Sequence, residues 1–294
     1  MTRRVLLDTS SLMYRAFFAL PPQIRAADGT PANAVHGYLN WTAALIQSRA
    51  TGDLIHCYDH DWRPASRVAE YDGYKATRQV DPGNLPDQFA WLREVLDAIG
   101  MAQAEAEGWE AEDAIGSIAA RARGRDRIDI VTGDRDLLQL VRDPAVTLWF
   151  TRKGVTEMDR YDAAAVLAKY GIPPSRYAEF AILRGDPSDE LPGVKGIGEK
   201  TARELVNAYP DLDALLAAAR SDPRAKLTPR IRSALIDSAG YVAAMQRIVP
   251  IRTDLEVRVW TPVPDPDRAE ELADRYRVGG PLRRIREALD AVGR

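Results

Sequence analysis

Ile128-Asp129-Ile130-Val131-Thr132-Gly133-Asp134-Arg135-Asp136 decides how this chain is read. A short apolar run bounded by polar residues predicts a buried strand. Here it passes through Thr132-Gly133 into two carboxylates. The pattern occurs twice more: Val5-Leu6-Leu7 runs into Asp8, and Leu54 to Tyr58 runs into Asp59. Between these runs, Ala34 to Arg49, Leu85 to Ile99 and Ala111 to Arg123 read as helices. Strand–helix alternation predicts an α/β domain with a mostly parallel sheet. Ligands of such sheets sit at the carboxyl ends of the strands. One strand ending in Asp is explained by helix capping. Three in one sheet gather carboxylates along one edge.

At 294 residues the chain has room for about two domains and a sizeable core. The balance of 40 basic against 43 acidic residues, a net charge of −3, excludes a highly basic nucleic-acid coat. It does not exclude nucleic acid, because net charge does not say where charges sit. Cys57, the sole cysteine, excludes an intrachain disulfide and a Cys-rich zinc site, which fits an intracellular compartment. The N-terminus carries no signal-peptide core, and no apolar stretch approaches a bilayer span of roughly 18–20 residues. A cytoplasmic protein without a membrane partner is the expectation.

The second half changes character. From Tyr161 onward, Pro and Gly separate short helices, as in Gly171-Ile172-Pro173-Pro174 and Leu191-Pro192-Gly193, which predicts a small all-helical domain. Leu255 to Trp260 alternates like a strand. Pro262 to Pro266 reads as a stiff linker, and Asp267 to Tyr276 and Pro281 to Val292 as terminal helices. The expected units are therefore 1–160, 161–250 and 251–294. Asp59 to Leu85 is weakly patterned and long for an α/β connection. It carries Arg63, Arg67, Tyr71, Tyr74, Lys75 and Arg78. Basic residues interleaved with aromatics suit single-stranded nucleic acid; a solvated excursion is the other reading.

The acids in candidate site positions are Asp8, Asp59, Glu110, Glu112, Asp113, Asp134, Asp136, Asp186 and Asp189. Crowded carboxylates repel, and burial raises their pKa values. Hard divalent cations such as Mg²⁺ and Mn²⁺ relieve this with oxygen ligands. Two such ions about 4 Å apart serve phosphoryl displacement, so the pattern points to metal-assisted phosphodiester hydrolysis. On a regular helix Glu112 points away from Glu110, so both reach one site only if Glu110 lies in the entry turn. Acids favoured by a helix N-terminus are the plainer reading of that segment. For Gly185 to Gly193, an Asp-, Pro- and Gly-rich turn is the plainer reading. Gly193 to Thr201 nearly spells a P-loop, but Glu199 stands where Lys is required and Pro192 precedes it. Gly-hydrophobic-Gly before a helix fits a helix–hairpin–helix, whose backbone N–H groups hold a duplex phosphate. Lys195 and Lys200 add charge there.

Five segments resemble the bacterial 5′→3′ exonucleases of the 5′-nuclease superfamily, similar to the N-terminal domain of DNA polymerase I. They are Leu7 to Leu20, Tyr74-Lys75-Ala76-Thr77-Arg78, Glu110 to Asp113, Thr132 to Gln139, and Arg184 through Ala202. Arg252 to Leu255 and Pro281-Leu282 resemble the close of that domain, as in a free-standing member. The resemblance implies a PIN-like (resolvase-like) α/β domain followed by a helix–three-turn–helix (helix–hairpin–helix) domain. It implies flap endonuclease and 5′→3′ exonuclease activity on branched or nicked DNA. Asp8, Asp59, Glu110 and Glu112 correspond to a first metal cluster. Asp113, Asp134, Asp136, Asp186 and Asp189 correspond to the rest of the acidic network, for two or more Mg²⁺ or Mn²⁺ ions. Asp8 and Asp134 are expected to be catalytic, with Lys75 and Arg78 at the scissile phosphate. Asp59 to Leu85 corresponds to a helical arch that passes a single-stranded 5′ flap. The expected DNA-binding set is Tyr14, Arg15, Phe17, Arg63, Arg67, Tyr74, Lys75, Arg78, Gly193, Lys195, Gly196, Gly198, Lys200 and Thr201, with K⁺ at the glycine hairpin.

Three positions depart from the family pattern. Glu112 stands where bacterial members commonly have Asp, Thr77 where Asn is common, and Glu190 where Asn commonly follows Asp189. The expected protein is a monomeric bacterial enzyme of DNA replication and repair, associated with the nucleoid. It would act on 5′ flaps, nicks, single-strand/duplex junctions and RNA primers. The alternative is a branched-DNA-binding protein with vestigial cleavage, against which the intact acidic set argues. Setting aside the nine site acids leaves 34 acids against 40 bases, so the remaining surface is net basic.

Overall fold

The computed structural model describes residues 3–77 and 81–293. The strands are β1 (Arg3–Asp8), β2 (Leu54–Cys57), β3 (Ala102–Glu105), β4 (Arg127–Thr132), β5 (Val146–Lys153), β6 (Glu157–Tyr161) and β7 (Arg258–Trp260). They form a seven-stranded sheet in the order β6-β5-β4-β1-β2-β3-β7. The inner pairs are parallel, and the two edge pairs, β5–β6 and β3–β7, are antiparallel. β1 reads as a continuous apolar run because both its faces are covered. Val5 and Leu7 pack into one core and Leu6 into the other, each fully buried.

The first half also holds α1 (Thr9–Ala19), α2 (Asn33–Arg49), α3 (Ala65–Glu70), α4 (Leu85–Ala98) and α5 (Ala111–Ala120). α1, α2 and α4 cover one face, and α5 the other. The helical region comprises α6 (Ala163–Tyr170), α7 (Tyr177–Arg184), α8 (Glu199–Ala208), α9 (Leu212–Ser221), α10 (Pro229–Asp237) and α11 (Ala239–Ile248). It continues the core that lies on the α5 face, through Phe180, Leu183, Val242 and Met245. The chain ends with α12 (Pro266–Arg275) on α4 and α13 (Gly279–Ala291) on α2.

This topology places the site. The chain steps from β1 outward to β2 and β3, then crosses back to lay β4 on the other flank of β1. The carboxyl ends of β1 and β4 therefore flank a topological switch point, where a crevice opens. Asp8 ends β1 there and caps α1, accepting from the Ser11 N–H at 3.1 Å.

β3, β5 and β6 are strands that the sequence reading does not assign. Ala102-Gln103-Ala104-Glu105 lacks the β-branched and aromatic residues that mark strands, and it is a strand because β2 and β7 pair with it. β7 is shorter than the alternation from Leu255 implied. Between Asp59 and Leu85 the described residues form one short helix, α3, and a series of turns.

Candidate active site

Asp8, Asp59, Glu110, Glu112, Asp134 and Asp186 line one cleft of about 1120 Å³, together with Lys75, Tyr14, Arg15 and Arg184. Three come from strand ends. Asp8 closes β1, Asp59 follows β2, and Asp134 follows β4. Glu110 is the N-cap of α5 in extended conformation, so it and Glu112 reach the same space despite helical periodicity. Asp186 and Asp189 sit on a loop closed by reciprocal backbone bonds between Asp186 and Leu191, at 2.9 and 2.8 Å. Gly193 makes that loop possible. Its φ is +70°, and a Cβ there would lie 2.5 Å from the Gly185 nitrogen.

Hydrogen bonds fix most of these acids. Thr132 Oγ1 donates to Asp8 Oδ2 at 2.6 Å. The Ala111 N–H donates to Asp59 Oδ1 at 2.8 Å, and the Asp136 N–H to Asp134 Oδ1 at 2.9 Å. Burial pushes Asp8 up to about 7 against the Thr132 hydrogen bond, and Asp134 and Asp59 add to the rise. Burial likewise raises Asp59, Asp134 and Asp136, and lifts Asp189 to about 6. For Asp136 the neighbouring Asp134, Asp189 and Asp186 reinforce it. Asp136 Oδ1 is buried without a hydrogen-bond partner among the described residues. Desolvated, mutually repelling carboxylates of this kind fit hard divalent cations.

A second group of acids is answered from within. Glu110, Glu112 and Asp113 bring carboxylate oxygens within 4.8 Å of one another. Arg67, 2% exposed, reaches all three: it bonds Glu110, lies 3.0 Å from Glu112 and 2.9 Å from Asp113. Lys75 Nζ bonds Glu110 and lies 3.5 Å from Asp189, and the Tyr74 hydroxyl donates to Glu110 at 2.6 Å. Burial alone would raise Glu110, yet Lys75 and Arg67 hold it below the usual carboxylate range.

These contacts correct several expectations. Arg67 and Tyr74, read as DNA-contacting, are 2% and 1% exposed and face the acids instead. Arg63 braces the turn ahead of Lys75, donating to the Tyr74 and Asp72 carbonyls at 2.7 Å each. Phe17 packs among the α1-side core, because each helical residue turns about 100° from the last; Phe18, 71% exposed, faces the cleft. Arg15 lines the cleft and donates to the Gly133 carbonyl at 3.0 Å. Arg78 lies outside the described residues. Arg135, Phe150, Arg152, Lys153 and Arg184 also line the cleft and were not singled out in the sequence. Three of them sit on β5, where the alternation of buried Val146 and Leu148 was the available signal.

The glycine hairpin is a separate surface. Buried Val194 and Ile197 anchor it, while Lys195, Gly196, Gly198 and Lys200 are exposed and Thr201 is half-buried. Gly198 caps α8 and no strand precedes it, unlike a P-loop. Lys75 and the helical region also meet directly. The Lys75 N–H donates to the Asp189 carbonyl at 3.2 Å, and Glu190 accepts from the Thr77 N–H at 2.8 Å and its hydroxyl at 2.7 Å.

An acid-lined cleft at the carboxyl edge of a resolvase-like sheet, with a helical region beside it, defines a class of metal-dependent nucleases. Residues 3–171 match the family described as 5′-3′ exonuclease, N-terminal resolvase-like domain, and residues 172–264 match 5′-3′ exonuclease, C-terminal SAM fold. The chain belongs to the 5′-3′ exonuclease family. It is 41% identical to a 5′-3′ exonuclease of Streptomyces coelicolor, over 98% of this chain and all of that one. It is 36% identical to DNA polymerase I of Mycobacterium leprae, over 98% of this chain and 32% of the polymerase. Its fold is similar to the bacteriophage T5 flap endonuclease crystallised with DNA and metal ions, with a TM-score of 0.65 at 15% identity over all of both chains.

Proposed function

We propose that this chain is a structure-specific 5′ nuclease, a 5′→3′ exonuclease and 5′-flap endonuclease on branched or nicked DNA. The observation that carries the reading is the convergence of six carboxylates and Lys75 on one cleft at the sheet's switch point. Asp8, Asp59, Asp134, Asp136, Asp186 and Asp189, with Glu110, Glu112 and Asp113, are the residues that would hold two or more Mg²⁺ or Mn²⁺ ions. Such ions supply Lewis-acid activation of water and neutralise phosphoryl charge. Lys75 and Arg78 stabilise charge on the transferring phosphoryl group, so Lys75 must exchange Glu110 for phosphate when DNA enters. Arg15 and the exposed Phe18 position the strand along the cleft.

The glycine hairpin and its lysines hold the duplex backbone, with K⁺ on the hairpin carbonyls. Residues 1–160, 161–250 and 251–294 act as nuclease unit, duplex-binding unit and closing segment. Among the described residues no helix is long and apolar enough to cross a membrane; a monomer acting in the cytoplasm, at the nucleoid, completes the reading. End-labelled 5′-flap, nicked and single-stranded substrates with Mg²⁺ or Mn²⁺ test it. Cleavage near the flap junction is expected, and Asp134→Ala abolishes it while flap binding persists. Binding without cleavage in either metal refutes the enzyme, and unchanged turnover in Asp134→Ala refutes the site.

A further inference from the structure

Cations are divided unequally among the acids of the cleft. Glu110, Glu112 and Asp113 have Arg67, and Glu110 also has Lys75; both cations are buried and in close ion pairs. On the other side, Asp136 and Asp186 share Arg184. Around Asp136, burial and the charges of Asp134, Asp189 and Asp186 all favour a proton, and the Arg184 guanidinium opposes them. Arg184 closes α7. A basic residue in the last turn of a helix is favoured by the helix dipole, which accounts for its place in the chain. The dipole does not account for the course of the side chain, which passes the Phe180 ring at 5.0 Å and lines the cleft.

In the cleft, Arg184 Nη2 stands 3.7 Å from Asp186 Oδ2. Asp186 Oδ1 accepts from the Ser188 N–H at 2.8 Å and from the Ser188 hydroxyl, so Oδ2 is the oxygen turned to the arginine. The contact is loose. Nε is spent on the Gly185 carbonyl at 3.1 Å, and the side chain keeps 19% of its exposure. Arg67, by contrast, is 2% exposed and lies 2.9 Å from Asp113. An ion pair as long and as open as that of Arg184 gains little. Arg184 therefore neutralises its acids without being locked to them.

We propose that Arg184 is the resident counterion of the Asp136–Asp186 side of the cleft: it holds Asp186 in the metal-free chain and lowers the affinity of that side for a divalent ion. The inference rests on the metal-nuclease reading above and adds a residue that sets how much metal the site demands. A unit positive charge beside a dication costs on the order of tenfold in affinity even at the dielectric of bulk water. Arg184 gives up Asp186 Oδ2 at little cost when an ion arrives, because its own pairing is weak.

The test titrates Mn²⁺ into the full chain without DNA, by calorimetry, for the native protein, Arg184→Gln and Arg184→Lys. Gln removes the charge and Lys keeps it. Arg184→Gln is expected to bind Mn²⁺ about tenfold more tightly at one site, and Arg184→Lys to stay close to the native value. Adding Asp186→Asn is expected to erase the gain, because the arginine acts through that carboxylate. Arg184→Met, which keeps an apolar stem over Phe180, makes the same comparison should the Gln variant fail to fold. Mn²⁺ affinity in the uncharged variants equal to or weaker than the native one, or an equal gain in Arg184→Lys, overturns the inference. Normal Mg²⁺-dependent cleavage alongside that result leaves the nuclease reading standing. Absence of Mn²⁺ binding in every one of these proteins sinks the metal reading itself, and the inference with it.

Discussion

Replacing Arg67 by Gln removes the guanidinium shared by three carboxylates, Glu110 and Asp113 buried and Glu112 partly so. Breaking a buried ion pair from one side costs about 3–5 kcal/mol, because the remaining charge stays desolvated and unpaired. Unfolding entropy of about 2.1 cal/mol/K per residue makes that a melting-temperature drop of about 5–8 °C for a chain of this length. The assay is thermal unfolding in EDTA and again in millimolar Mn²⁺. The metal should recover most of the loss in Arg67→Gln and raise the native chain less, because in the native chain it competes with Arg67 for the Glu110, Glu112 and Asp113 oxygens. Arg67→Lys keeps the charge but not the planar fork and should fall between the two. A melting temperature within a degree of the native one in EDTA, or equal Mn²⁺ increments in both proteins, refutes the reasoning.

Two further outcomes follow from charge. Asp189 at about 6 and Asp8 at about 7 keep protons in the folded state that the unfolded chain sheds near pH 4. No cost falls on folding below the unfolded value, and the whole cost falls above the folded one, so metal-free stability declines as pH rises through that window. Melting curves in EDTA from pH 5 to 8 should therefore fall, and Mn²⁺ should flatten them; a rising curve contradicts the raised values. On the hairpin, replacing Lys195 and Lys200 by Ala together should lower the slope of log affinity against log salt by about 2, as expected for two lost phosphate contacts. An unchanged slope removes the hairpin from the duplex interface.

The acids that end strands were legible from the chain alone, because a strand end, an apolar run and a carboxylate are neighbours in sequence. Asp8, Asp59 and Asp134 needed only the rule that parallel sheets bind at their carboxyl edge. Arg67 was not legible. A basic residue in a polar, weakly patterned stretch reads as exposed, and nothing local announces that Glu110 and Asp113 wait 43 and 46 positions away. Phe17 and Phe18 were separable only once α1 had an orientation. β3 was invisible for a different reason: a four-residue strand of Ala, Gln and Glu exists because its neighbours supply the pairing.

Thr77 and Glu190 lie 113 positions apart, and they touch. Glu190 holds a left-handed backbone, φ +59°, that Asn adopts more readily, and its carboxylate receives both donors of Thr77. They form one contact between the turn that carries Lys75 and the loop that carries Asp189. Replacing Glu190 by Ala removes the acceptor of both Thr77 donors, so it should loosen that turn from that loop. In any chimera with a relative, the turn that carries Lys75 and the loop that carries Asp189 must come from the same parent.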